Sequence, residues 1–134
     1  MIDPAVERYL AAWNARDGEA LASALGTGTY LDPGSGGALD AAGLVAYAQA
    51  LWNAFPDLAF TIEEQVAGEG GRHTVVWRMR GINHGSLRGL PPTGKTVDLS
   101  GIDLIRVADG RIVEVRGWFD TAAMPRQLGL QVLV

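Results

Sequence analysis

At Pro56 the spacing of apolar residues changes, and that change bounds the fold. Before it, apolar side chains recur every three or four positions: Val6, Tyr9, Leu10 and Trp13, then Leu44, Tyr47, Ala48, Leu51 and Phe55. This is the period of a helix with one buried face. After Pro56 they recur every second position: Leu58, Phe60 and Ile62, then Val75, Trp77 and Met79. This is the period of a strand with one buried face. Helices first and strands afterwards predict an α+β fold, with a curved antiparallel sheet packed on N-terminal helices.

Local signals place the elements. Asp3 can cap a first helix, and Pro4 suits its first position. "NARDG" breaks that helix, and "EALASAL" forms a short second one. A third runs from about Asp40 to Phe55 and stops at Pro56. Four strands follow: "LAFTIEEQV", "RHTVVWRMRG", "KTVDLSGIDLIRV" and "IVEVRGWFD". The last two are joined by an Asp-Gly hairpin turn in "ADGR". The glycine-rich stretch "GTGTYLDPGSGG" lacks the spacing of a phosphate loop, and no predicted strand precedes it. It reads as a mobile segment lining a cavity mouth.

Composition narrows the function classes. The 134 residues fit a single domain, 1–134, and 48% hydrophobic against 19% charged residues supply a sizeable core. The net charge is -4, Lys95 is the one lysine and no basic run exists, which argues against nucleic acid or an anionic membrane as partner. The absence of cysteine excludes disulfides, thiolate nucleophiles and Cys-ligated metals. The two histidines, His73 and His84, have no acidic companion at helical spacing, so no metal site is predicted. "MIDPAVERYL" is not a secretory signal, and no run of 18 apolar residues could span a bilayer, so the expectation is a cytoplasmic protein.

The last strand departs from a plain core pattern. Strict alternation puts Ile112, Glu114, Arg116, Trp118 and Asp120 on one face, and Val113, Val115, Gly117 and Phe119 on the other. Neither face is cleanly apolar, which suits an apolar pocket carrying a few polar groups. Asp120 then has two readings: a cap on the next turn, shared with Thr121, or a proton-moving acid on a pocket floor. On the neighbouring strand, Asp103 intrudes into the row Val97, Leu99, Gly101, Ile105 and Val107. An unpaired buried carboxylate costs roughly several kcal/mol, so Asp103 either finds a partner or faces a cavity.

The stretch "RGINHGSLRGLPPTGKTVDLSGIDLIRVADGRIVEVRGWFDTAAMPRQLG", with "AAWN", "TYLDPG" and "AFPDL" before it in order, resembles the SnoaL-like polyketide cyclases. These are a branch of the NTF2-like α+β cone fold, and the likeness runs from about Val6 to Gly129. The resemblance implies a cone open at one end, enclosing an apolar pocket and using neither metal nor organic cofactor. It implies an intramolecular aldol cyclisation in which the Asp of the W-x-D segment, here Asp120, is the general acid/base. It also implies substrate contacts. Trp13 stands at a pocket-lining aromatic position, and Asp32 where some members have Asn. Asn83 stands where a His is common, with His84 one place later, and Arg106 stands where some cyclases have His. Asp103, Arg116 and Trp118 join these as candidates for orienting the substrate.

Two other enzyme readings use the same cone. An isomerase-like proton shuttle would pair an Asp base with Tyr30 or a protonated Asp103 as oxyanion donor. An epoxide-hydrolase-like site would hold a water among Asp103, Arg106 or Arg116, and Asp120. A small-ligand binder or an accessory protein is the non-catalytic alternative. The expected partner is a small hydrophobic, carbonyl-rich molecule. By analogy with the family, a homodimer forms through the outer sheet face, and the terminal "LGLQVLV" closes the cone or covers a partner.

Overall fold

The structure is a computed structural model that describes residues 2–130. Helix α1 spans Pro4–Ala15, α2 Gly18–Leu25 and α3 Ala41–Ala54. Each starts on an aspartate. Asp3 accepts the Ala5 N–H at 2.8 Å, Asp17 the Ala20 N–H at 3.0 Å and Asp40 the Gly43 N–H at 2.8 Å. These caps satisfy donors that a helix start leaves free. The strands are β1 Thr29–Leu31, β2 Ala59–Ala67, β3 Arg72–Ile82, β4 Thr96–Ala108 and β5 Arg111–Phe119. A last short helix, α4, spans Ala123–Gln127. No helix among the described residues is long and apolar enough to cross a membrane.

The strands form one sheet in the order β1-β5-β4-β3-β2. The four long strands pair antiparallel, as the sequence predicts. Strand β1 was not expected. It lies inside the glycine-rich stretch read as a mobile segment, and it pairs parallel to β5, with Tyr30 beside Val115. Three residues are too few to show a period, so the strand is invisible to pattern reading. Gln131–Val134 of the terminal apolar run lie outside the described residues, while Leu128 before them is buried.

Strand β4 alternates without interruption, with Val97, Leu99, Gly101, Asp103, Ile105 and Val107 all buried. Strand β5 does not. Between Arg106 and Val107 of β4 the register jumps from Glu114 to Ile112, which leaves Val113 as an extra, bulged residue. Ile112, Val115 and Gly117 therefore face inward, and Glu114, Arg116 and Trp118 outward. The mixed face predicted by strict alternation came from counting through this bulge.

The helices cover the inner face, and an aromatic chain joins the layers. Trp13 of α1 meets Trp52 of α3 at 5.8 Å between ring centroids and Phe60 of β2 at 5.4 Å, and Phe60 meets Trp77 of β3 at 5.5 Å. Near-perpendicular pairs of this kind are favoured by the ring quadrupoles. Two polar clips fasten the C-terminal end of α1 and the residue after it to the start of the edge strand β2 and the residue before it. The Asn14 amide donates to Phe60 O at 2.9 Å and accepts from Phe60 N at 2.8 Å, and Arg16 reaches Leu58 O at 2.6 Å. On the outer face Asp98 is shared by Arg78 and Arg80.

Asn83 ties α3 to the loop between β3 and β4. It is 1% exposed. Its amide donates to Ala54 O and Gly85 O, and its carbonyl accepts from the Thr93 N–H and hydroxyl, both at 2.9 Å. The role expected of it in substrate binding is thus corrected, because both polar atoms of the side chain are occupied by the end of α3 and the loop. Asn83→Ala leaves several of these groups unpaired in the interior. It should lower stability by about 2–4 kcal/mol in chemical denaturation, with little change in ligand binding to the cavity.

Candidate functional site

Between the helices and the inner sheet face lies a cavity of about 320 Å³. Its walls are mostly apolar and aromatic: Trp13 and Leu10 of α1, Leu51 of α3, Phe60 and Ile62 of β2, Trp77 and Met79 of β3, Leu99 of β4, Phe119 of β5 and Met124 of α4. Glu7, Asn14 and Gln65 are exposed lining residues and mark a polar rim between α1 and β2. All three tyrosines of the chain, Tyr9, Tyr30 and Tyr47, line it as well.

Two carboxyl groups stand inside. Asp103 points inward because β4 alternates cleanly, and it is 8% exposed. The Trp77 indole N–H donates to its Oδ1 at 3.1 Å. Two glycines make the seat. A side-chain carbon at Gly117, opposite Asp103 on β5, would lie 2.8 Å from Asp103 Oδ1 and 3.4 Å from Asp32 Cβ. One at Gly101 would lie 2.2 Å from the Trp77 ring. Asp32, just after β1, has a different environment. The hydroxyls of Tyr30 and Tyr47 and the Gly34 N–H all donate to it.

These environments set the proton affinities. Burial pushes the Asp103 pKa up to about 7. The Trp77 hydrogen bond works against this, and the nearby Asp32 adds to it. Burial also raises the hydroxyls of Tyr9 and Tyr30 well above their ordinary value, and Asp103 and Asp32 add to both. Tyr47 is raised by burial and by Asp32. Tyr9 is fully buried; the Trp13 side chain acts on its oxygen and partly offsets the rise in its pKa, but its hydroxyl makes no well-formed hydrogen bond among the described residues. It therefore offers an uncommitted polar group to whatever enters.

The structure brings together three of the residues expected at the site, Trp13, Asp32 and Asp103, and corrects the position of the others. Asp120 is exposed and lies outside the cavity. Its carboxylate accepts the Ala122 N–H at 2.9 Å and pairs with Arg126 at 3.3 Å, capping the turn before α4. These two contacts hold its pKa below the ordinary carboxylate value. The bulge at Val113 is the cause, since one extra residue turns the even positions that follow it outward. The same shift puts Arg116 and Trp118 on the outer face, with the guanidinium 5.3 Å from the indole centre. Arg106 is exposed on that face as well, so no Asp-Arg-Asp set assembles around a water. His84 is exposed in the loop after β3. Sequence reasoning placed Tyr9 and Tyr47 only on buried helix faces. The available signal was chemical: tyrosine stands where leucine or phenylalanine would fill a core without a buried hydroxyl.

The sequence profile of the SnoaL-like polyketide cyclases matches residues 4–128. The chain belongs to this family. No functionally curated protein matches it. Among solved structures, IdmH from Streptomyces antibioticus, a proposed polyketide cyclase, is 27% identical, with 94% of this chain and 96% of that one covered and a TM-score of 0.80. TsrD from Streptomyces laurentii is 25% identical over 95% of this chain and 93% of its own, with a TM-score of 0.79. AclR from Streptomyces galilaeus, a proposed hydroxylase, shares the fold at 22% identity, over 97% of this chain and 85% of its own, with a TM-score of 0.81. A structure with the ketosteroid isomerase-like fold from Catenulispora acidiphila superposes equally well, with a TM-score of 0.79.

The raised pKa of Asp103 has a consequence for stability. Between the ordinary carboxylate value, 3.8, and about 7, the folded chain holds a proton that the unfolded chain has released. Stability should therefore fall as pH rises through that window, by an amount on the order of a few kcal/mol. Denaturant titrations from pH 4 to pH 8 should show this slope in the wild type. It should be absent in Asp103→Asn, which should be the more stable protein at pH 8.

Proposed function

We propose that this SnoaL-like chain is a cofactor-free acid/base enzyme that closes a ring in a small, carbonyl-rich, polyketide-type molecule by an intramolecular aldol reaction. Asp103, rather than Asp120, carries the proton. The observation that supports this reading is a carboxyl group buried in a greasy cavity with a pKa of about 7, at which it can both accept and return a proton near neutrality. The family and the likeness to IdmH support ring closure as the reaction.

In this mechanism ionised Asp103 removes a proton from a carbon flanked by two carbonyls, and the C–H electrons become an enolate. The enolate carbon attacks a second carbonyl carbon of the same molecule and forms the new C–C bond. The resulting alkoxide takes the proton back from Asp103. The Tyr9 hydroxyl, beside the Trp13 side chain and with its own proton uncommitted, donates to the enolate oxygen. The aromatic walls fold the flexible chain into the reactive conformer and exclude water. Enolate formation followed by reprotonation at another carbon would make the same site an isomerase. The pairing of Tyr9 with a protonatable Asp103 favours keeping that second reading.

Asp103→Asn should lower turnover of a cyclisable anthraquinone-type methyl ester, or of an enolisable steroid, by at least about a hundredfold. Asp120→Asn should leave it within a few fold. Product formation followed by chromatography checks both. Equal turnover by wild type and Asp103→Asn sinks this assignment, and binding without turnover on the whole panel moves the protein to the non-catalytic class.

We also propose a homodimer through the outer sheet face. There Val76, Ile102 and Trp118 form a cross-strand apolar row, and Ile102 and Trp118 are 44% and 48% exposed. Trp118→Glu should convert a dimer into a monomer in analytical ultracentrifugation. A wild type that sediments as a monomer removes the proposal.

A further inference from the structure

The cavity's charge content differs from what a site for acidic, polyketide-like anions would need. Among the described residues no lysine, arginine or histidine lines it, whereas Asp32 and Asp103 stand inside and Glu7 sits at the rim. Its walls also present aromatic faces from Trp13, Phe60 and Trp77, which are linked ring to ring.

The polar groups inside are mostly committed so as to leave acceptors. The Trp77 N–H is held by Asp103, and the Tyr30 and Tyr47 hydroxyl protons are held by Asp32. What these groups still present to an incoming molecule is oxygen. Tyr9, fully buried and lining the cavity, has the Trp13 side chain beside its oxygen, but its hydroxyl makes no well-formed hydrogen bond among the described residues. Arg88 acts on Tyr47 from outside, where it is exposed and donates to Gly34 O, and it does not line the cavity. Aromatic faces and carboxylate oxygens inside the walls are what an organic ammonium group recognises.

We propose that this cavity binds molecules carrying a positively charged nitrogen, of the size of phenyltrimethylammonium. The aromatic rings take the alkyl-ammonium surface, and Asp32 and Asp103 supply the countercharge. This does not depend on the chain being a cyclase. It names a ligand class that the proton-transfer reading leaves open, including a carbonyl substrate with an amine substituent.

The two ideas are separated by what is measured. The groups facing Asp103 are Asp32, Tyr9, Tyr30 and Trp77, none of them cationic. An ammonium ligand gains from ionised Asp103, so its affinity rises between pH 6 and pH 8. Proton abstraction also uses ionised Asp103, but it is read as turnover rather than as affinity, so the loss of one behaviour leaves the other measurable.

The test is quenching of tryptophan fluorescence on titration with phenyltrimethylammonium, and with tert-butylbenzene as the neutral isostere, from pH 6 to pH 8. The quaternary ion does not titrate, so any pH dependence belongs to the protein. The expected result is at least tenfold tighter binding of the ammonium at pH 8, weakening several-fold at pH 6, with Asp103→Asn flattening the profile. The wild-type profile carries the test even if that variant folds poorly. Equal affinity for the two probes, preference for the isostere, no binding of either, or a flat wild-type profile overturns the proposal.

Discussion

A single carboxyl group, Asp103, is held in a place where a carboxylate is expensive, and much of the surrounding architecture serves to hold it there. One indole N–H contacts it directly. That is less hydrogen bonding than a buried anion requires, which is why the group keeps its proton to about pH 7. The seat exists because side chains are missing around it. Gly117 leaves room for the carboxyl, and Gly101 leaves room for the Trp77 ring that donates to it. Both glycines lie on long inner strands, where a glycine otherwise weakens packing. The aromatic chain through Trp13, Phe60 and Trp77 then gives the cavity an apolar wall from α1 across β2 to β3.

The bulge in β5 decides which charged residues belong to the cavity. It hands Glu114, Arg116 and Trp118 to the outer face and gives Val115, Gly117 and Phe119 to the inner one. An arginine in place of Gly117 would bring a cation beside Asp103 and favour its ionised form. With the bulge, the arginines of β5 and β4 stay with Glu114 and solvent, and the interior carboxyl has no countercharge. A one-residue insertion thus controls the electrostatics of a site several residues away.

Much of the architecture was legible because it follows from period and caps. The switch at Pro56, the aspartates opening α1 and α3, and the Asp-Gly turn between β4 and β5 all appear where spacing puts them. Asp103 was legible too. An acid interrupting a clean apolar alternation must face either a partner or a cavity, and here it faces both. Asp120 was misplaced because period counting has no means of seeing a bulge, which is decided by pairing with another strand. Strand β1 was missed for a related reason. Tyr30 is inward only because β1 lies parallel against β5, a contact between segments more than eighty positions apart. The tyrosine trio is likewise a product of tertiary assembly, since its members come from α1, β1 and α3.

The two interior carboxyl groups meet over Gly117, yet the fold treats them oppositely. Asp32 receives two phenolic hydroxyls and a backbone N–H, so its oxygens are acceptors already in use and its position is fixed by β1, α3 and its own loop. Asp103 receives one donor and keeps an oxygen facing open volume. A carboxylate already holding three donors cannot take up a proton without breaking a network, although its charge still acts on a bound molecule, whereas one held loosely and near its titration point can exchange a proton freely. Asp32 also acts on Asp103 through its charge, helping to keep it protonatable. The pair therefore divides its tasks, with one carboxyl fixed in a hydrogen-bond cluster to set the field and the other left free to respond to it.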